Sequence, residues 1–129
     1  MPLWKEEYRL GIEIIDEQHQ RLMDIADRAS ALLRNELITD KYDKIVDILQ
    51  ELKDYTIYHF ASEEDYMKNI GYGKLLSHKV EHDDFVAKIS NIDLSKIDNN
   101  QNLYLLELLD FVAKWIGSHI LKTDKMYVQ

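Results

Sequence analysis

The segment Leu75-Leu76-Ser77-His78-Lys79-Val80-Glu81-His82-Asp83-Asp84-Phe85 carries the reading of the fold. Leu75, His78, His82, Phe85 and, further on, Ile89 recur at spacings of three and four, which marks one face of a helix from about Lys74 to Ile89. Two histidines sit on that apolar stripe, four apart, so both project from one face and can grip one metal ion. Just upstream, Gly71-Tyr72-Gly73 stops a preceding helix, as glycine does where left-handed backbone is needed. That helix is capped by Asp40 and shows Tyr42, Ile45, Ile48 or Leu49, Leu52, Tyr55, His59 and Met67 along one face. His59 and Glu63 repeat the spacing of four, which sets an imidazole beside a carboxylate.

The same periodicity extends to both ends of the chain. Asp16 can cap a first helix carrying Leu22, Ile25 or Ala26, Ala29, Leu32 and Leu33, which fades near Leu37-Ile38-Thr39. Residues 1–11 read as an irregular arm with Trp4, Tyr8 and Leu10, and Trp4 as a structural plug at one end. Asn91 to Asn102 is polar and turn-rich, hence a loop, and a last helix runs from about Asn102 to Lys122. Leu105, Leu108 or Leu109, Val112, Trp115 or Ile116, and His119 mark its inner side. The expectation is an all-α protein, an up-down-up-down antiparallel four-helix bundle with an irregular N-terminal arm.

Composition narrows the function classes. The 129 residues, 46% hydrophobic and 31% charged, suit one soluble domain, and four glycines with one proline are few for an all-β fold. A net charge of -8 argues against a nucleic-acid surface. No stretch reaches the roughly 20 apolar residues of a membrane span, and Met1-Pro2-Leu3-Trp4-Lys5 lacks the layout of a signal peptide. The absence of cysteine removes disulfides and thiolate ligands. A cytoplasmic monomer is the simplest expectation.

All five histidines, His19, His59, His78, His82 and His119, fall on or beside apolar stripes, and every helix supplies at least one. In an antiparallel bundle the starts of odd helices meet the ends of even ones, which brings the five near a common level. Asp124 follows His119 at a spacing of five, about 140° off its face in an ideal helix, and joins the group only if the helix loosens there. Five buried imidazoles without metal would each need hydrogen-bond partners in a small core. Imidazole with carboxylate suits iron, zinc, copper or nickel, and seven side chains are too many for one ion; two metals bridged by Glu63 and Asp124 use all seven.

The segments Ile15-Asp16-Glu17-Gln18-His19, His59-Phe60-Ala61-Ser62-Glu63, His78-Lys79-Val80-Glu81-His82 and His119-Ile120-Leu121-Lys122-Thr123-Asp124 resemble the hemerythrins. Trp4, Tyr8 and Gly11-Ile12 resemble their single-domain bacterial branch, the bacteriohemerythrins, so that residues 1–129 form a single hemerythrin-like domain. The resemblance implies two iron ions (Fe2+/Fe3+), one on His78, His82 and His119, the other on His19 and His59. Glu63 and Asp124 would bridge them beside an oxo or hydroxo group. It implies O2 as the ligand, bound reversibly for carriage, storage or delivery and held as hydroperoxide on the iron with the open position. Leu22, Phe60, Trp115 and Ile116, placed by helical spacing near His19, His59 and His119, are the expected apolar walls of that position.

Rival classes use the same site: a di-iron oxidase or peroxidase, or a sensor of O2, nitric oxide or redox state. No Glu-x-x-His pair occurs in the chain, which favours holding O2 over activating it, so no enzyme activity is expected. A sensor needs an output, and no effector segment is expected after the last helix. Glu64, Asp65, Asp83 and Asp84 are expected at the solvated surface, Glu81 at the surface more than beside an imidazole, and Gln18 facing outward. Tyr8, Tyr58 and Tyr66 lie near ligands in sequence without an assignable role.

Overall fold

The computed structural model describes residues 4–35, 42–91 and 101–128. Among the described residues four α-helices follow an arm that contains a 3-10 turn at Glu6–Tyr8: α1 (Glu13–Arg34), α2 (Tyr42–Asn69), α3 (Leu75–Ser90) and α4 (Gln101–Lys122). A second 3-10 turn, Asp124–Tyr127, closes the described chain. No strand occurs among the described residues. The architecture is the expected antiparallel four-helix bundle, with α1 packed on both α2 and α4, and α2 on α3.

Each helix buries the stripe read from its sequence. Leu22, Ile25, Ala26, Ala29 and Leu32 of α1 meet Ile45, Leu49, Leu52 and Met67 of α2, Phe85 and Ile89 of α3, and Leu108, Val112 and Ile116 of α4 in one core. Aromatic rings join α3 to α4, where Phe85 and Trp115 stack with centroids 4.1 Å apart. The helix ends at the glycines also follow expectation. Gly71 has φ +70°, its N–H donates to the Lys68 carbonyl, and the Tyr72 N–H donates to that of Met67. These two bonds satisfy carbonyls of the last turn of α2 and reverse the chain into α3 within a few residues.

The start of α1 differs from the expectation. The helix begins at Glu13, and the preceding Ile12 makes no side-chain cap. Asp16 lies inside the first turn, buried, and its carboxylate reaches back to accept from the N–H groups of Leu10 (2.8 Å) and Gly11 (3.0 Å). It therefore ties the arm to α1 rather than capping the helix from outside. Leu10 and Tyr8 are thereby held in the core, and Tyr8 packs so closely on α4 that a Cβ at Gly117 would meet its hydroxyl at 3.0 Å. Trp4 is half-buried and meets Tyr8 edge-on. The expected cap Asp40, the fading of α1 near Leu37-Ile38-Thr39 and most of the loop from Asn91 to Asn102 lie outside the described residues.

Asp16→Ala leaves two backbone N–H groups without acceptors, one of them buried, and should cost about 1–3 kcal/mol. Urea unfolding will show this as a lower midpoint, whereas an unchanged midpoint would mean the arm contributes nothing through this link.

Candidate metal centre

The bundle brings all seven candidate ligands together. His19 comes from the second turn of α1, His59 and Glu63 from the second half of α2, His78 and His82 from the first two turns of α3, and His119 from the last turn of α4. Asp124 reaches the group because α4 ends at Lys122 and the chain tightens into the 3-10 turn, which swings residue 124 back towards the face of His119. All seven are almost wholly buried, none more than 5% exposed.

Glu63 and Asp124 each divide their two oxygens between two groups of imidazoles. Glu63 Oε1 lies 2.9 Å from His82 Nε2 and 3.1 Å from His78 Nε2, while its Oε2 lies 3.5 Å from both His19 and His59. Asp124 Oδ1 lies 2.9 Å from His78 and His119, and its Oδ2 3.2 Å from His19. One group thus gathers three imidazoles and two carboxylate oxygens, the other two imidazoles and two carboxylate oxygens. The donor atoms of the first group lie within 4.8 Å of one another, as do those of His19, His59 and Glu63.

The spacings fit coordinated ions better than hydrogen bonds. His119 Nε2 is 3.0 Å from His78 Nε2 and 3.1 Å from His82 Nε2. Two donors bound to one ion at about 2.1 Å and at right angles lie about 3.0 Å apart, and about 4.2 Å apart when opposite. The 3.9 Å between His119 Nε2 and Glu63 Oε1 approaches the second value. Both oxygens of Asp124 also lack any aligned hydrogen-bond donor among the described residues, an arrangement a buried carboxylate needs a cation to offset.

Protonation is preset at three of the five rings. His59 Nδ1 lies 2.7 Å from the Gln18 side-chain oxygen, His82 Nδ1 2.9 Å from Glu64, and His119 Nδ1 3.2 Å from Glu81. These oxygens accept, so each Nδ1–H donates and the Nε2 lone pair is left facing the common centre. His19 and His78 have no partner at Nδ1 among the described residues.

Their titration differs accordingly in the metal-free chain. Burial opposes a proton on His19 and on His78, but the neighbouring Asp124 and Glu63 override it and raise both to about 9. Burial holds His59 down to about 3 despite Glu63. Burial also works against charge on Glu63 and Asp124, yet the surrounding imidazoles keep both below the usual carboxylate range. Tyr127 is pushed above its ordinary value by burial and by both carboxylates, and its hydroxyl donates to Glu63 Oε2 at 3.0 Å.

Several supporting residues differ from their expected places. Gln18 is buried against His59 instead of facing outward. Glu64, expected at the solvated surface, is half-buried on His82, and Glu81 keeps an exposed carboxylate yet reaches both His119 and Thr123. Helical rotation sets Glu64 away from the face of Glu63, and Glu81 is exposed as expected while also taking the lesser reading beside an imidazole. In all three the side chain reaches a ring on another helix. Tyr127 had no signal in the periodicity, because it lies beyond the helices; only its offset of three from Asp124 within a turn could have suggested it. Asp65, Asp83 and Asp84 are exposed, as expected.

A small cavity of about 10 Å³, the room of roughly one water-sized molecule, adjoins the poorer group. Its lining includes His19, His59, His119 and Asp124 together with Leu22, Phe60, Trp115 and Ile116, the four residues expected as apolar walls. Phe60 lies flat on His82, 3.7 Å between centroids, and Trp115 on His119 at 4.4 Å. The rings are held by packing on one side and by hydrogen bonds on the other.

A bundle with this centre is the arrangement of a metal-binding helical domain, and comparison with known families agrees. The chain belongs to the hemerythrins, matching the family model of the hemerythrin HHE cation binding domain over residues 10–129. A bacteriohemerythrin of Clostridium acetobutylicum is 49% identical over 128 residues, 99% of each chain. One from Methylococcus capsulatus is 30% identical over 94% of this chain and 88% of its own length. Another, from Pseudomonas paraeruginosa, is 29% identical over 98% and 78%. The chain is a hemerythrin-type iron protein, and among the described residues no helix is long and apolar enough to cross a membrane.

Metal loading should release about two protons per chain at pH 7, from His19 and His78, since both hold a proton there and a ligand nitrogen cannot. A pH indicator in weak buffer measures this directly; release of none would contradict the raised values. Stability of the metal-free chain should fall as pH rises from 6.5 through 9, where these two groups give up the protons that the folded state binds more tightly. Below pH 6.5 it should also fall, first because His59 resists the proton that the unfolded chain accepts, then because Glu63 and Asp124 stay ionised where the carboxylates of the unfolded chain take up protons. Thermal midpoints across this range should peak near pH 6.5, and the metal-loaded protein should lack the alkaline decline.

Proposed function

We propose that this protein binds O2 reversibly at a non-haem di-iron centre, as a cytoplasmic monomer that carries, stores or delivers it. His78, His82 and His119 would hold one iron and His19 and His59 the other, with Glu63 and Asp124 offering one oxygen to each. The observation that carries the reading is the inequality of the two groups: five donors gather on one side and four on the other, and the small cavity meets both histidines of the side with four but only His119 of the other three. When bound, the iron pair supplies the electrons on which O2 binding draws and which its release returns.

The residues around the centre have separable tasks. Leu22, Phe60, Trp115 and Ile116 leave space for a very small molecule and keep bulk water from the two-histidine side. Gln18, Glu64 and Glu81 hold the tautomer that keeps three Nε2 lone pairs turned inward. Tyr127 fixes the Glu63 carboxylate by donating to Oε2, the oxygen on the two-histidine side. The histidine-rich set has few anionic ligands, which disfavours the high oxidation states that oxidase chemistry needs.

Ferrous loading without air, admission of O2 and its removal test the reading by optical absorption. An iron-dependent visible band that comes and goes with O2, at two irons per chain, is expected; irreversible passage to the ferric form would point to oxidase or redox-sensing work. His82→Ala and Glu63→Ala should each lower the iron content to about one per chain or less. Either variant retaining two irons and the reversible band would remove that residue from the ligand set.

A further inference from the structure

Apart from the proposed iron ligands and Trp115, the cavity beside His19 and His59 is lined by side chains without a polar atom, with one exception. Thr56, three residues before His59 on α2, lines it, is 0% exposed, and its Oγ1 has no hydrogen-bond partner among the described residues. A threonine within a helix ordinarily turns its hydroxyl to the carbonyl four residues back, and a buried hydroxyl without a partner carries an uncompensated desolvation penalty. Valine would fill nearly the same volume without that penalty, so packing does not account for the hydroxyl. A rotatable O–H on the wall of a cavity of this size can meet only a small molecule inside it.

We propose that the Thr56 hydroxyl is the hydrogen-bond donor to the small ligand held in this cavity, which makes Thr56 a specificity-determining residue of the O2 site; the inference rests on the O2-binding reading above. The ligand class is a molecule of two or three atoms with an acceptor lone pair at its free end, O2 or a small linear anion. Leu22, Phe60, Phe85, Ile116 and Ile120 offer such a ligand no donor. The hydroxyl therefore decides how long a polar ligand is retained, while the apolar walls decide its size.

The test compares iron-loaded native protein with Thr56→Val, which keeps the shape and removes the hydroxyl, and Thr56→Ser, which keeps the hydroxyl. Iron content is counted, azide is titrated onto the ferric form by its absorption band, and O2 dissociation is timed. Thr56→Val should weaken azide binding and speed O2 loss by about tenfold, the effect of one hydrogen bond, with Thr56→Ser within about twofold of native. All three should hold the same iron, and Thr56→Val without ligand should melt no lower than native. Native-like azide affinity in Thr56→Val, an equal loss in Thr56→Ser, or a lower melting point in Thr56→Val overturns the role of the hydroxyl while leaving the O2 reading intact. A native protein with no iron-dependent azide or O2 band overturns that reading, and this inference with it.

Discussion

Glu63 and Asp124 each place one oxygen on either side of the centre, and the rest of the molecule is organised around that division. A carboxylate buried without compensation costs several kcal/mol, and two facing each other repel in addition. Five inward-facing imidazoles alone do not relieve this, because three of them present lone pairs. What balances the group is positive charge, supplied by protons on His19 and His78 in the metal-free chain and by metal ions otherwise. The bundle thus contains a cluster whose internal electrostatics require cations at its middle.

Holding such a cluster demands rigidity from every helix. Phe60 and Trp115 press on the faces of His82 and His119, so the rings cannot turn away from the centre without breaking the aromatic packing that joins α2, α3 and α4. The glycine turn after α2 fixes how far α3 begins from Glu63, and with it the distance from that carboxylate to His78 and His82. Asp16 anchors the arm that lets Tyr8 close on Gly117, two residues before His119. The same contacts that stabilise the bundle therefore position ligands, and weakening one disturbs both.

The helices and the seven converging side chains were legible in the sequence because a period of three to four residues is a property of one helix at a time. Asp124 was legible only as a condition, since its offset from His119 demanded a break in the helix, and the turn at Thr123 supplies one. Gln18 and Glu64 were not legible as partners, and Glu81 only as the lesser of two readings. Their angular positions say which way the Cα–Cβ bond points, but their role depends on which ring of another helix lies within reach. Asp16 was read as a cap because it precedes the apolar stripe; its carboxylate instead serves the backbone of residues before the helix, a choice set by the path of the arm. The apolar walls around the cavity were placed from ligand spacing, whereas the lone hydroxyl among them depends on a partner's absence, which no pattern records.

The 3-10 turn at Asp124 carries a consequence for the order of events in the cell. His19 lies in the first helix and Asp124 just past the last, so the centre joins the two ends of the bundle's sequence. A ribosome exposes His19 long before Asp124, and a nascent chain can pack its first three helices with neither His119 nor Asp124 yet available. The full set of seven side chains is therefore complete only when the turn at Asp124 closes over a nearly finished bundle.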